Sequence, residues 1–561
     1  MNKEAFINFK FPPIDADSFF HKDPEELESF FFKSDEKYQS LLANDTYFLV
    51  GTKGSGKTMY AAYMCRCDDT ISADRYLVNF DDYKNMVDAM DKGLIRESDL
   101  KTIWKAILIV KILSCIDKNE LEGFFGKSKI METLQRLREM DVIRKIVCDG
   151  FYPVESAESQ KMTSEYSAGA SMTPLTASVS ETKENSSTYN VKSVAFVDAW
   201  GQYIREVQEC LKKVRLNKPV FLFVDGIDIR PGQLSYERYL NVVAALIRAS
   251  FELNKEVLVT DKSYMKITVL SRPDILSQSG LPNLECVLHD NSVVLEWNDR
   301  SWTDGDQSFG MYGLVNLILS HIEENGEKKT EGSDVWAKNF GFSLKFRGEE
   351  KQIPSFEYCT IQSFCRPRNF VKLLTELQRA ATEDSNNQLN LATYFNQDRL
   401  LNRFSSFSMQ AIKSEMSFEY NQDEINLLIE FLKTFYKTFD FRDFKQNINH
   451  FSQKERLLSV FGDEMALLNL IYRLNIIGYF EPGQNSRAVR WHYREESISN
   501  LCPTLNSYRI DDDSRFKFHN SLEKELAVYI RKRHGTRENG NRQPRVWHFG
   551  DDDRNDTVLR R

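Results

Sequence analysis

The sequence predicts an α/β protein with a parallel sheet at its centre, and three stretches carry this prediction. Residues 46–64, TYFLVGTKGSGKTMYAAYM, run from an apolar strand through a glycine-rich loop into a helix-compatible segment. Residues 220–224, VFLFV, form a continuous apolar run of the kind found in strands covered on both faces. Residues 265–270 form a third, largely apolar run. Strands separated by helical segments are typical of layered α/β folds.

The glycine-rich loop matches the phosphate-binding pattern G-x-x-x-x-G-K-[ST]. Its glycines let backbone N–H groups turn inward around phosphate oxygens, and the helix that follows adds the positive end of its dipole. Lys57 would reach the β- and γ-phosphates, and Thr58 would place its hydroxyl on Mg²⁺. The loop therefore predicts a P-loop NTPase core. The other residues predicted to bind nucleotide in the loop are Gly51, Thr52, Lys53, Gly54, Ser55 and Gly56.

A metal ligand and a candidate base follow the second apolar run. Asp225 closes this run and would hold Mg²⁺ through water, together with Thr58. Asp228 lies three residues farther on and could orient or deprotonate the attacking water. Gly226 follows Asp225 directly, so the usual pair of adjacent acidic residues is missing. Both aspartates are therefore candidate catalytic residues.

Three arginines are candidates for contacts with the phosphates. Arg272 follows the third apolar run, at a strand end where α/β proteins bind ligands, and could read the γ-phosphate. Arg366 and Arg368 flank Pro367, which can open a helix at its first turn. That helix is amphipathic and would place the two arginines on a helical lid over the nucleotide. Whether Arg248, Arg272 or Arg366 acts on a neighbouring copy stays open.

Taken together, the strings GTKGSGKT, FLFVDGID, VLSRP and RPRNF resemble the AAA+/STAND group of P-loop ATPases. The sequence looks most like a bacterial family of such ATPases found in defence-type and mobile gene neighbourhoods. The resemblance implies ATP and Mg²⁺ as cofactors, hydrolysis of ATP, and a switch that assembles with itself and with an effector or sensor partner in anti-phage defence. The spacing from Asp225 to Asp228 is STAND-like, whereas Arg366 to Arg368 looks more like an AAA+ second sensor.

The predicted domain order is an ATPase core at 1–330, a helical lid at 331–415, a winged-helix-like domain at 416–510 and a basic tail at 511–561. Within the core, residues 154–193 are rich in Ser, Thr and Ala, and are predicted to form either a flexible loop or a projecting hairpin. The winged-helix-like domain would end in a β-hairpin wing. Its basic residues are Arg487, Arg490, His492 and Arg494.

Composition limits the alternatives. Nine scattered cysteines and a net charge of −8 favour a reducing cytoplasm and argue against a protein coated with nucleic acid. The longest apolar run is too short for a membrane span, so no membrane partner is expected. The alternative function is a DNA-binding loader or remodeller ATPase that uses the wing and the basic tail. A third possibility is a scaffold that binds nucleotide without hydrolysing it.

Overall fold

The computed structural model describes residues 1–116, 205–297, 310–323, 334–481, 489–495 and 500–528, except for single positions 34, 92, 94, 206, 210, 213, 233, 261, 262, 348 and 387. The predicted insert at 154–193, the turn of the predicted wing with Arg487, and the chain from 529 onward lie outside the described residues. No helix within the described ranges is both long and apolar enough to cross a membrane.

Helices and short strands alternate along the described chain. The strands are β1 (Phe48–Val50), β2 (Ser72–Leu77), β3 (Val220–Asp225), β4 (Val259–Thr260), β5 (Ser263–Ser271), β6 (Ser292–Val294), β7 (Ser343–Leu344), β8 (Ile353–Pro354), β9 (Thr438–Asp440), β10 (Ile477–Phe480), β11 (Val489–Arg490) and β12 (Arg515–Phe518). The α-helices are α1 (Lys3–Asn8), α2 (Pro24–Phe30), α3 (Asp35–Leu42), α4 (Lys57–Arg66), α5 (Phe80–Asp91), α6 (Leu100–Ser114), α7 (Tyr236–Leu253), α8 (Pro273–Ser277), α9 (Leu284–Asn291), α10 (Gly310–Glu323), α11 (Val335–Phe340), α12 (Ser355–Gln362), α13 (Pro367–Glu383), α14 (Leu391–Tyr394), α15 (Asp398–Met416), α16 (Gln422–Leu432), α17 (Phe441–His450), α18 (Lys454–Phe461), α19 (Glu464–Arg473) and α20 (His492–Glu495).

A largely parallel sheet forms the centre of the N-terminal part of the chain, with its strands between Phe48 and Val294 in the order β2-β3-β5-β1-β6. β1 pairs in parallel with both β5 and β6, and β3 pairs in parallel with β2 and β5. Short β4 pairs antiparallel with β5. The prediction of an α/β fold with a parallel sheet is confirmed, and the sheet is compatible with a P-loop or Rossmann-like core. Because β1 lies inside the sheet, the loop that follows it opens at the carboxyl edge, where ligands bind in such folds.

Helices cover both faces of this sheet, and β3 shows why its sequence is apolar throughout. Val220, Leu222 and Val224 belong to a cluster with buried residues of α5, α6 and α7. Phe221 and Phe223 point the other way, into a cluster with residues of α3 and α4. Successive side chains of a strand alternate between faces, so a strand buried on both sides needs no polar positions.

The segment predicted as a helical lid, termed the lid unit below, is built around aromatic side chains. Trp336 stacks on Phe340 with ring centroids 4.2 Å apart, and also contacts Phe356 and Phe370. Helix α10 packs into this cluster through Met311, Val315, Ile318 and Leu319, and α1 adds Phe6. The predicted core boundary at residue 330 therefore falls inside the lid packing, because α10 buries its apolar face against the lid.

The C-terminal unit combines helices with an antiparallel sheet in the order β11-β10-β12-β9. β10 pairs antiparallel with β11, at the place of the predicted hairpin. β12 lies between β10 and β9, and its Phe516 and Phe518 are buried in the same core as Leu522 and Leu526. The unit thus continues beyond residue 510, and the start predicted for the tail at 511 is too early. Only two alternating phenylalanines among charged residues mark β12 in the sequence.

Candidate active site

The loop between β1 and α4 needs its glycines for backbone reasons. Gly54 and Gly56 have φ angles of +87° and +102°, in the left-handed region that glycine adopts without strain. A Cβ atom at Gly51 would lie 2.4 Å from Oγ of Ser55. Gly56 is the N-cap residue of α4, so the positive end of this helix faces the loop. The loop therefore has the conformation that an anion-binding turn requires.

Lys57 folds back over the loop. Its Nζ donates to the carbonyl oxygen of Gly51 at 2.7 Å and to that of Thr52 at 3.2 Å. The side chain is buried, and this burial lowers the pKa of Lys57, although the charges of Asp228 and Asp225 oppose the shift. Both hydrogen-bond acceptors are neutral, so the positive charge of the ammonium group can be balanced by an anionic ligand.

Asp225 lies at the end of β3, next to the first turn of α4. Its Oδ2 accepts a hydrogen bond from Oγ1 of Thr58 at 3.0 Å, and its Oδ1 accepts one from the N–H of Gly226 at 2.8 Å. Burial, with the charge of Asp228, raises the pKa of Asp225. A buried carboxylate beside a hydroxyl and a second carboxylate favours a bound cation.

These residues fit Mg²⁺, which takes oxygen ligands and keeps several waters. In the described part of the chain no group of three His, Cys, Asp or Glu residues could hold a metal ion. A hydroxyl and one carboxylate agree with Mg²⁺ bound mainly by phosphate and water. The metal ligands predicted at Thr58 and Asp225 are thus in contact with each other.

A cavity of about 290 Å³ lies beside the loop. The polar residues that line it include the predicted Lys57, Thr58, Asp225, Asp228 and Arg368. Apolar lining comes from the N-terminal segment, α10 and α13, and includes Pro12, Ile14, Leu314, Ile318 and Val371. Apolar walls with a few convergent polar groups are typical of small-molecule sites.

The turn after β3 brings Asp228 to the cavity. Gly226 has a φ of +83°, and a Cβ atom there would lie 2.8 Å from Cδ1 of Leu77 and 3.1 Å from the carbonyl oxygen of Val78. A side chain at this position is therefore excluded, and the chain turns tightly enough for Asp225 and Asp228 to line the same cavity. Ordinary acidic pairs are adjacent in sequence, whereas this pair meets across a glycine turn.

The lid arginines separate into two environments. Arg368 lines the cavity, and its Nε donates to the carbonyl oxygen of Ile14 at 3.2 Å. Arg366 instead pairs through Nη1 with Oε2 of Glu415 at 3.3 Å. The two arginines flank Pro367 at the start of α13, and one of them faces the cavity while the other faces α15.

Arg272 also faces away from the cavity lining. Its Nε donates to Oδ1 of Asp274 at 3.0 Å, and its Nη2 donates to Oδ2 of the same carboxylate. Burial opposes the charged form, but the carboxylates of Asp274 and Glu415 outweigh it and raise the pKa of Arg272. The predicted contact of Arg272 and Arg366 with phosphate would require both to leave these ion pairs.

The other face of the loop contacts the end of α15, defined here as residues 413–418. Lys53 lines the cavity as well, but its Nζ donates to Oγ of Ser414 at 2.6 Å. Glu415 lies beside Arg366, with the charges of Arg272 and Lys53 also acting on it. Burial raises its pKa, but these cations outweigh burial and lower the pKa of Glu415 overall. The α15 end is thus held by cations of the loop, the sheet and the lid.

Several site residues have no signal in the sequence. Trp297 donates from Nε1 to the carbonyl oxygen of Ser55 at 2.7 Å. Arg75 donates from Nη1 to Oδ2 of Asp225 at 3.4 Å. Glu415 and Ser414 sit in an ordinary helical stretch. Each of them contacts a residue far away in the chain, so local spacing does not reveal them.

Of the four basic residues predicted for a DNA-reading wing, Arg490 and His492 are engaged within the protein, whereas Arg494 is exposed. Arg490 donates to Oε1 of Glu481 at 2.6 Å and to Oε1 of Glu495 at 3.2 Å. His492 is 2% exposed. These two residues therefore offer little to a phosphate backbone.

No protein-family model matches the chain, and the comparisons with curated proteins and with solved structures gave no significant match. The function is therefore inferred from the residues of the site.

Proposed function

We propose that this protein binds Mg²⁺–ATP in the cavity beside the loop, hydrolyses it, and acts as a switch that assembles with itself and controls a partner effector. The observation that carries the ATPase part is the 3.0 Å hydrogen bond between Thr58 and Asp225, in a cavity that Lys57 also lines. This combination supplies a phosphate-binding turn, a cation and a metal-binding oxygen pair at one point. A role in anti-phage defence rests on the resemblance alone.

Each residue has a chemical task in this proposal. The N–H groups of the loop and the ammonium group of Lys57 bind the phosphates. Thr58 and Asp225 would hold Mg²⁺, which would supply positive charge beside the phosphates. Asp228 orients the attacking water and accepts its proton, and Arg368 offers positive charge from the lid.

The switching part is supported by the contacts on the other face of the loop. Lys53 is bonded to Ser414, while the Arg272 and Arg368 charges act on the same lysine. A triphosphate on the cavity side adds negative charge that competes for these cations. We therefore expect ATP to loosen the α15 end, which connects directly to the C-terminal unit. A ligand shifts a conformational equilibrium only through such differential contacts.

We infer that the C-terminal unit is winged-helix-like. The support for this is the order of its elements, in which helices α16 to α19 precede the antiparallel β10–β11 pair. Units of this kind bind protein surfaces as well as DNA, so the unit is a reasonable contact for an effector or for a second copy of the chain.

Three measurements on the full chain test this proposal. A fluorescent ATP analogue should bind in a Mg²⁺-dependent way, phosphate release should follow, and light scattering should show a change of oligomeric state between ATP and ADP. Absence of nucleotide binding at millimolar concentration would contradict the whole proposal. Binding that raises thermal stability without any hydrolysis would favour a nucleotide-stabilised scaffold instead.

A DNA-dependent ATPase is the second candidate, and the composition of the C-terminal tail favours it. Between residues 530 and 545 six Lys or Arg residues stand against one acidic residue. Such a segment can bind phosphate backbone in a salt-dependent way. Turnover that rises with DNA and loses this response on deletion of residues 530–561 would favour this candidate over the switch.

A further inference from the structure

One charged contact of the site has no role in the mechanism above. Arg75 projects from the edge strand β2, and its side chain is only 11% exposed. Its Nη1 donates to Oδ2 of Asp225 at 3.4 Å and also to Oδ1 of Asp17. The guanidinium carbon lies 3.9 Å from the ring centroid of Phe20. The planar cation is therefore held between two carboxylates and against an aromatic face.

Asp17 and Phe20 belong to a segment that we term the N-terminal strap, residues 12–20. Residues 12–17 of the strap line the cavity. The carbonyl oxygen of Ile14 accepts the hydrogen bond from Arg368 of the lid, and Phe19 packs against Ala62 of α4. The strap is thus bonded to the lid at one point and to the sheet, through Arg75, at another.

We infer that Arg75 is a positioning residue that couples the metal-holding carboxylate of Asp225 to the strap along the cavity. This inference rests on the proposed function. Oδ2 of Asp225 accepts from Thr58 and from Arg75, so the guanidinium supplies positive charge beside the carboxylate that would hold Mg²⁺. A divalent cation there offsets the attraction between Asp225 and Arg75 and leaves the guanidinium to Asp17. Occupancy of the metal site then tightens the strap.

The first test compares nucleotide affinity with and without the metal. A fluorescent ADP analogue is titrated into each full-length variant, once in Mg²⁺ and once in a chelator. The Kd in chelator divided by the Kd in Mg²⁺ is recorded and is called the Kd ratio. In Arg75→Gln the carboxylate of Asp225 faces the phosphates without a compensating charge, so metal-free binding weakens most. The Kd ratio should rise about fivefold. Arg75→Lys keeps the charge and should stay close to the unmodified protein.

Arg238→Gln is the matched control. Arg238 pairs with Asp91, is half exposed and does not line the cavity, so its loss should leave the Kd ratio unchanged. A purely structural role for Arg75 would weaken binding equally in Mg²⁺ and in chelator. An unchanged ratio in folded Arg75→Gln, judged by its thermal unfolding, would overturn the inference while leaving the proposed function intact.

Asp17→Asn tests the strap itself. The Asp17 side chain is 51% exposed, so this change should not prevent folding, even if Arg75→Gln does. We expect faster dissociation of the Mg²⁺-bound analogue and faster proteolysis within residues 12–20, with no rise in the Kd ratio. Dissociation as slow as in the Arg238→Gln control would overturn the coupling. Failure of the unmodified protein to bind any nucleotide would instead overturn the proposed function, and this inference with it.

Discussion

The phosphate-binding loop holds two lysines with different hydrogen-bond partners. Lys57 and Lys53 lie four residues apart, and burial lowers the pKa of both. Lys57 is bonded only to carbonyl oxygens of its own loop, whereas Lys53 is bonded to Ser414 at the α15 end. Lys53 also lines the cavity, so the loop presents Lys57 to a ligand alone and Lys53 both to the cavity and to another unit. A single short loop can therefore relate what is bound in the cavity to how the units pack.

Separate replacement of the two lysines should have the largest and most different effects on the affinity for Mg²⁺–ATP. Lys57→Ala removes the charge that would bind the phosphates, so affinity for Mg²⁺–ATP should fall about a thousandfold. Lys53→Ala should change that affinity only a few-fold, while loosening the contact with the α15 end. Equilibrium binding of a fluorescent ATP analogue measures both. Normal affinity in Lys57→Ala would mean that Lys57 does not bind the phosphates in the cavity.

Asp228→Asn separates binding from chemistry on the cavity face. The amide keeps the size of the side chain but cannot accept a proton from water, so the rate of hydrolysis should fall about a hundredfold. Affinity for ATP should be nearly unchanged, because neither the loop nor Lys57 is altered. Single-turnover phosphate release provides the rate. Unchanged turnover would transfer the role of base to Asp225 or to a residue of a neighbouring copy.

Glu415→Gln addresses the other face. The carboxylate pairs with Arg366 at 3.3 Å, and its side chain is 13% exposed. Its neutralisation leaves a buried arginine without its counter-charge, which should lower the free energy of unfolding by about 2 kcal/mol. Chemical denaturation measures this loss, and exposed Glu350→Gln serves as a control that should remain within about 0.5 kcal/mol of the unmodified protein. Equal stability of the two variants would mean that the α15 end is held by packing alone.

The same ion pair should show a defined pH dependence. The pKa of Glu415 is lowered in the folded protein, so its stabilising contribution is complete above the ordinary glutamate pKa and is lost as the pH falls through the lowered value. The difference in thermal stability between the unmodified protein and Glu415→Gln should therefore be constant near neutral pH and shrink below the ordinary glutamate pKa. If the difference in thermal stability persists in acid, its cause is the altered packing of the side chain and not the ion pair.

The cavity face is the part of the molecule that the sequence predicts best. Its loop has a fixed local pattern, and a parallel sheet brings the end of β3 beside the loop, so contact between Thr58 and Asp225 follows from the motif and the fold class together. The helix start at Pro367 was also foreseen. Local spacing is sufficient where one turn or one strand end determines the geometry.

The other face depends on packing between distant segments, which no local pattern encodes. Arg272 and Arg366 were predicted to read phosphate, but they are paired with Asp274 and Glu415. The contact between Arg75 and Asp17 beside the cavity likewise joins positions 58 residues apart. Helix α10 is apolar enough to pack on either neighbouring unit, and only the aromatic cluster of the lid decides its place.

Hydrogen exchange at the α15 end tests the relation between the two faces most directly. The amide of Ser417 in this end and that of Glu419 directly after it donate to the carbonyl oxygens of Lys413 and Met416, so they report whether this end stays folded on the loop. Saturating Mg²⁺–ATP should accelerate their exchange in the unmodified protein and have no effect in Lys57→Ala. Unchanged exchange in a protein shown to be saturated with ATP would contradict any coupling between the cavity and the C-terminal unit.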